Sequence, residues 1–415
     1  MTTLALAPPA GLPASSRSAT HKLALALVWL TVASGAVVFT EPAPIEALTM
    51  GLVVLLPVIG LVAISRALLG LLALMLAAAA AGVLAATNAT DLAVAMTHTG
   101  VSLYMYIATF VFAAFVAKRP EAHTLLILNA YVWAAAAAAV LGIVGYFDLF
   151  PGAHELMTRY GRATGLFKDP NVFGPFLVPA LVFGLSRLTG ASVRKSIPLL
   201  VLLLVIGLAM LLSFSRGAWF NLGVATVIYG TLHILTVRDN RARLRFAVLA
   251  MMGIAALFAL VVVALQFDAV SGLASERASL DQRYDEGPEG RFGGQQKAAG
   301  LILQNPLGLG ALQFVPQYHH EEPHNVYLTM FLNAGWLGGL LFLGLVGTTS
   351  VWGLRHAFVR CATQPLFLVV YACFVAHVLE GLIIDLDHWR HFYLLMALVW
   401  GLMLGRTPAI GMQSR

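Results

Sequence analysis

Uninterrupted apolar runs of membrane-crossing length succeed one another along almost the whole chain, and this removes most folds from consideration. Lipid offers no partners for backbone N–H and C=O groups, so a spanning segment must satisfy them within its own helix or within a closed barrel. Barrel strands alternate in character over about ten residues. The runs here are continuous over roughly 16–25 residues, the length a spanning helix needs. They lie at 23–39, 45–65, 67–86, 99–117, 123–147, 172–187, 197–213, 218–236, 246–266, 325–350, 366–384 and 391–405. Only 11% of the 415 residues are charged, where a soluble domain carries about a quarter. The expected fold is all-α: a polytopic integral membrane protein with about 12 transmembrane helices. The runs 45–65 and 67–86 are separated by little more than Arg66, so that hairpin is the least clearly bounded.

Charge sets the expected orientation. With the N-terminus inside and twelve spans, the inner segments hold sixteen of the 25 cations and two of the 19 acids, Glu121 and Asp239. The cation bias follows the positive-inside rule. The net charge of +6 therefore reflects orientation rather than a nucleic-acid surface. Residues 1–22 read as a disordered cytoplasmic tail and 406–415 as a second one. A single membrane domain, 23–405, carries outward loops at 148–171 and 267–323. In a bacterial inner (cytoplasmic) membrane that face is periplasmic, where no nucleotide serves as an energy source. No Walker motif or Gly-rich dinucleotide fingerprint is present, so chemistry on that side must start from a pre-activated substrate. Cys361 and Cys373 suggest neither a disulfide framework nor a thiolate metal site.

The large polar stretch ends in Pro323-His324-Asn325-Val326-Tyr327-Leu328. Pro323 suits a first helical position, which places His324 in the first turn of the next helix. The helix dipole there disfavours imidazolium and leaves a neutral base; the plainer reading is that His324 and Asn325 only satisfy helix-start donors. Arg291 follows Gly-Pro-Glu-Gly and opens a helix over 291–304, with Leu301, Ile302 and Leu303 packing inward. A cation at that end opposes the macrodipole, so it points to an anionic ligand or to a surface pair with Glu286 or Glu289. Arg216, in Ser213-Phe214-Ser215-Arg216-Gly217, faces either a cavity or the C-terminal dipole of the preceding helix, with Gly217 as its cap. Asp169 and Pro170 form a sufficient helix start, and Lys168, Asn171 and Arg162 are placed to line the same cavity. Glu380 is a membrane-embedded acid within reach of Arg216 or Arg390. The stretches Asp385-Leu386-Asp387-His388 and His319-His320-Glu321-Glu322 fit no strong metal-ligand spacing, so no metal and no cofactor are expected.

Cations beside one neutral imidazole at the membrane boundary suit a lipid diphosphate, since guanidinium forks match phosphate oxygens. With Gly165-Leu166-Phe167-Lys168-Asp169-Pro170-Asn171, Gly290-Arg291 and Asn305-Pro306-Leu307-Gly308-Leu309-Gly310, these motifs resemble the O-antigen ligase and Wzy-type polymerase family of bacterial envelope glycosyltransferases. The resemblance is best over the last 250 or so residues; before about residue 150 only hydropathy matches. It implies a glycosyltransferase C-like fold, an undecaprenyl-diphosphate-linked glycan donor and metal-independent inverting transfer. The family's two arginines look like Arg216 and Arg291, and its histidine looks like His324. Lys168, Asp169, Asn171, Asn325, Tyr327 and Arg390 are the expected substrate-binding residues. The implied acceptor is lipid A–core for a ligase, in lipopolysaccharide biosynthesis, or another lipid-linked repeat unit for an O-antigen or exopolysaccharide polymerase. No nucleic acid is involved. The rival from another class is a lipid or sugar transporter, which would bury its cations at mid-membrane along a pathway.

Overall fold

A computed structural model of the protein describes residues 14–39, 43–188, 193–264, 266 and 287–405. Both expected tails, apart from the start of the first helix, and all of 267–286 lie outside them. The described chain is mostly helical. Its long helices are α1 (Ala14–Ala33), α2 (Pro44–Val58), α3 (Arg66–Ala86), α4 (Leu92–Lys118), α5 (Pro120–Tyr146), α7 (Pro170–Leu188), α8 (Val193–Leu212), α9 (Arg216–Thr236), α10 (Asn240–Ala264), α11 (Arg291–Gln304), α13 (Val326–Ala357), α14 (Gln364–Glu380) and α15 (Arg390–Leu404). Two short helices, α6 (Ala153–Met157) and α12 (Phe314–Gln317), lie in connections. Among the described residues, seven helices are long and apolar enough to cross a membrane, and four apolar helices are shorter. This is a multi-pass membrane protein.

The run 45–65 is not one helix. α2 ends at Val58, Gly60 turns the chain with φ 71°, and buried Leu61 and Val62 continue it as extended backbone that donates from the Ala63 N–H to the Ala114 carbonyl at 2.8 Å. The segment 148–171 is also more ordered than a loop. It holds α6, a hairpin of β2 (Thr158–Arg159) with β3 (Arg162–Ala163), and β4 (Leu166–Phe167), which pairs parallel with β1 (Val37–Val38). Tyr160 and Gly161 both take positive φ, 55° and 68°, which is what a two-residue hairpin turn with the strands' twist requires.

Helices in lipid gain little from hiding apolar surface from one another, so close packing of small residues has to hold them together. The alanine runs of α3 and α5 serve this. On α5, Ala134, Ala138 and Gly142 recur at helical spacing on a buried face. A Cβ on Gly142 would come within 2.9 Å of the Phe173 ring, so glycine is what lets α7 lie this near. α15 packs most extensively on α4, α13 on α3, and α14 on α9.

α13 bends at Gly335, whose φ of 68° and ψ of −173° interrupt the helix. The break frees backbone groups that the 306–309 turn takes up. The Trp336 N–H donates to the Pro306 carbonyl at 2.9 Å, and the Leu309 N–H donates to the Leu332 carbonyl at 2.7 Å. Gly308 faces Gly335 across this junction, and a Cβ on either would lie 2.5–2.6 Å from the other strand's backbone. The Asn-Pro-Leu-Gly-Leu-Gly motif thus docks α11 onto the membrane bundle. α11 runs from Arg291 to Gln304 as the sequence suggests, and its Ala298, Leu301 and Ile302 pack with Leu309, Phe314 and Leu332. Leu303 instead faces outward and is 75% exposed.

Candidate active site

Five helix starts are linked, directly or through one or two intervening residues, to the segment that carries His324. α7 starts at Asp169–Pro170: the Asp169 carboxylate accepts from the Asn171 N–H at 2.6 Å. α9 starts at Ser215, whose hydroxyl accepts from the Ala218 N–H. Arg216 therefore opens α9, and the alternative in which it caps the preceding helix is corrected: α8 ends at Leu212, and Phe214 turns the chain with φ 46°. α11 opens with Arg291 after Gly290. α13 is capped by Asn325, whose Oδ1 accepts from the Tyr327 and Leu328 N–H groups at 3.1 and 3.3 Å. α15 opens with Arg390 after Trp389.

Side chains and backbone tie these starts together. Buried Arg162, brought in by the β2–β3 hairpin, donates from Nε to the Ser213 carbonyl and from Nη2 to Asn171 Oδ1, each at 2.7 Å. It thus fixes the start of α7 against the turn that carries Arg216. Gly217 lies against buried Glu380, since a Cβ there would be 2.8 Å from Glu380 Oε1. Glu380 Oε2 accepts from Asn221 Nδ2 at 2.5 Å. The next residue, Gly381, accepts from the Val326 N–H at 2.9 Å. Gln295, one turn into α11, donates to the His324 carbonyl at 3.4 Å.

His324 itself is not in a helical first turn. It precedes the Asn325 cap with φ 49°, a left-handed conformation uncommon for a side-chain-bearing residue. Its ring lies between two carboxylates, Nε2 3.4 Å from Glu321 Oε2 and Nδ1 4.0 Å from Asp385 Oδ2. Burial lowers its pKa first, Arg291 lowers it further, and Glu321 and Asp169 act in the opposite direction. A neutral imidazole results, as the sequence reading expects, but desolvation and Arg291 replace the helical first turn as its cause.

The expected substrate-binding residues divide. Lys168 and Arg390 line a cavity of about 280 Å³ whose mouth also carries Asp385, Asp387 and His388, and whose body is apolar, with Met105, Phe112, Phe167 and Phe176 among its walls. Arg390 is also ion-paired with Glu46, so it belongs to neither Glu380 nor a free surface. Asn171 accepts from Arg162, Asn325 caps α13 and donates to the Leu382 carbonyl at 3.2 Å, and the Tyr327 hydroxyl donates to the Val378 carbonyl at 2.6 Å. These three therefore have structural duties.

Among the described residues, two groups of possible metal ligands come together: His98, Asp387 and His388, and Glu289, His319 and His320, each set offering ligand atoms within 4.8 Å of one another. The His98 and His388 rings stack at 3.9 Å with 24° between planes. Near-parallel rings cannot both aim a nitrogen lone pair at one ion without turning, so the first group does not fit a metal as it stands.

Burial raises the pKa of two acids near His324. Burial pushes Glu322 up to about 8, with Asp385 and Asp387 adding repulsion. Asp385 rises to about 7 through burial and then Asp387, opposed by the Thr329 hydroxyl, which donates at 2.5 Å, and by the nearby backbone N–H groups of His324 and Asn325. The folded values exceed the ordinary ones, so this contribution to stability is complete below about pH 4 and is lost as pH rises through roughly 7–8. The melting midpoint of the purified protein is expected to fall between pH 7 and 8.5, above the range where histidines titrate, and Glu322→Gln to shrink that fall. A midpoint that rises over this interval, identically in the variant, would contradict the assignment.

Asp385, Arg162 and Gln295 acquire their places only in three dimensions. Asp385 drew attention in the sequence as a poor metal ligand; its partner His324 lies far away along the chain. No curated protein matches the chain at a significant level. Residues 199–343 match the family described as Wzy_C, O-antigen ligase, a stretch that contains Arg216, Arg291 and His324 together with the kinked start of α13. The resemblance read from the motifs is thereby borne out over residues 199–343, which are similar to the O-antigen ligase (Wzy_C) family.

Proposed function

We propose that the protein is an O-antigen ligase-like glycosyltransferase that moves a glycan from undecaprenyl diphosphate to a hydroxyl acceptor at the periplasmic face of the inner membrane. The observation that carries this reading is the gathering of helix starts around His324. Helix N-termini present free N–H groups and positive partial charge, and three of them, α9, α11 and α15, begin with an arginine, a charge the macrodipole disfavours there. An anionic diphosphate accounts for both features. The charge distribution along the sequence favours twelve spans with this end outward, the loops 148–171 and 267–323 belonging to a single membrane domain.

In the proposed step, the diphosphate is held by Arg216 and Arg291, with Lys168 and Arg390 at the mouth of the apolar cavity that receives the first part of the lipid. Neutral His324 takes the proton of the acceptor hydroxyl. The acceptor oxygen attacks the anomeric carbon as the bond from that carbon to the diphosphate oxygen breaks. The electron pair leaves with the lipid diphosphate, where the arginines stabilise the growing charge. One displacement inverts the anomeric centre, and no metal is needed for it. Asp385 faces the second ring nitrogen, and its ionised form stabilises the imidazolium as it forms.

Ligase and polymerase share this chemistry and differ in acceptor. Lipid A–core is the first reading and a second lipid-linked repeat unit the alternative. Purified protein in liposomes, given lipid-linked oligosaccharide with either acceptor, is expected to release undecaprenyl diphosphate and form a single inverted linkage, with EDTA making no difference. Movement of intact donor across the bilayer without bond cleavage would favour a transporter and sink this reading.

A further inference from the structure

A second concave site lies away from His324, where the C-terminal end of α11 meets the α3–α4 turn. It is a groove of about 400 Å³ whose polar lining is Asn88, Gln304, Asn305, Gln317 and Tyr318. That volume is in the range of small-ligand sites, roughly 300–1,000 Å³. No acid, lysine, arginine or histidine is among its described lining residues. The one described cation bonded to a lining residue, Lys297, has its ammonium on the Tyr318 carbonyl, and the lining itself offers a phosphate or a carboxylate no counter-charge.

The amides are oriented by the fold. Asn88 Nδ2 donates to the Gly308 carbonyl at 3.1 Å, and Asn305 Nδ2 donates to the Leu301 carbonyl at 2.9 Å. Backbone carbonyls only accept, so the nitrogen of each amide must be the atom facing them. Gln317 Nε2 lies 3.2 Å from Gln313 Oε1, which already accepts from the Thr90 N–H at 3.0 Å and is therefore an oxygen. In all three residues the NH₂ is engaged by protein, and no described hydrogen bond uses the carbonyl oxygen. The carbonyl oxygens of the three amides, and the second N–H of Asn88 and Asn305, are left to hydrogen-bond hydroxyl groups. Tyr318, half-buried, adds a ring with an apolar face and a polar tip. Its floor is rigid, because the 306–309 turn is locked into the Gly335 break of α13.

We propose that this groove is a saccharide-binding subsite for an uncharged, hydroxyl-rich part of the glycan. The inference rests on the glycosyl-transfer reading for its placement. α11 joins the two sites: Arg291 opens it and Gln304 closes it, so its 14 residues span roughly 20 Å. The groove therefore holds sugar units remote from the bond being made and lets the protein favour a long glycan over a short one.

The probe is the organism's own surface polysaccharide, freed from its lipid by mild acid and titrated against the purified full-length protein. Leu307→Trp fills the groove from an exposed position (58% exposed) without removing any of the hydrogen bonds above, and Tyr318→Ala removes the ring. Binding by the wild type is expected, weakened at least tenfold in both variants and unchanged in His324→Ala. With lipid-linked donors, both groove variants should lower the many-repeat to one-repeat turnover ratio by a similar factor. Equal binding by wild type and Leu307→Trp, or no binding by the wild type, overturns the subsite. Binding by the wild type with no turnover of either donor overturns the transferase reading and leaves the subsite standing.

Discussion

His324→Ala is expected to lower kcat for glycan transfer by about 10²–10⁴-fold, the usual contribution of a positioned general base, equivalent to about 3–5 kcal/mol of barrier. The donor KM should change little, because the arginines and helix starts that hold the diphosphate stay in place. Loss of a helix cap does not confuse the result, because the Asn325 side chain performs that task for α13. The lowered pKa of His324 also fixes the sign of the pH dependence. The base is neutral and competent at neutral pH, and activity falls only on acidification below the ordinary histidine range as the ring is protonated. Wild-type rates in His324→Ala across this range would remove the base from the mechanism.

Arg291→Lys should fail nearly as badly as Arg291→Ala, with losses on the order of 10²-fold for each. The charge survives in the lysine variant, so the loss isolates geometry: a planar fork grips two phosphate oxygens where an ammonium is a single point charge. Arg216→Lys should behave in the same way. Both arginines open helices against the macrodipole, so removing either sacrifices no favourable helix-dipole interaction. A variant that loses activity only in step with its melting midpoint would show a packing role instead. The turnover assay on lipid-linked donor, read beside thermal unfolding, distinguishes the two.

Much of this was legible because local chemistry and tertiary structure agree. Gly290 before Arg291 and Asn305-Pro306 after Gln304 bound α11 at both ends, and Asp169-Pro170 starts α7. The errors have local causes too. Pro323 looks like a helix start, but the Asn325 side chain satisfies two N–H groups and wins the cap, leaving His324 in a left-handed bend. Ser-Phe-Ser-Arg-Gly reads as a helix end at Gly217. The positive φ of Phe214, rare for such a residue, turns the chain early and makes Ser215 a cap instead. Leu303 shares an apolar run with Leu301 and Ile302, yet the helical turn points it outward. What no local pattern shows is long-range pairing: Arg162 with the Ser213 carbonyl, Asp385 with His324, Asn88 with Gly308. These contacts join segments by the fold alone, and they decide which of several scattered polar residues share a site.

The account turns on a diphosphate being held by two arginine-opened helix starts beside an uncharged imidazole. Its most direct test is equilibrium binding of undecaprenyl diphosphate, with undecaprenyl monophosphate as control, to purified wild type, Arg216→Ala, Arg291→Ala and His324→Ala in detergent. Tighter binding of the diphosphate by wild type and His324→Ala, weakened at least tenfold in each arginine variant, is the expected result. Equal affinity for both lipids across all four proteins would contradict it.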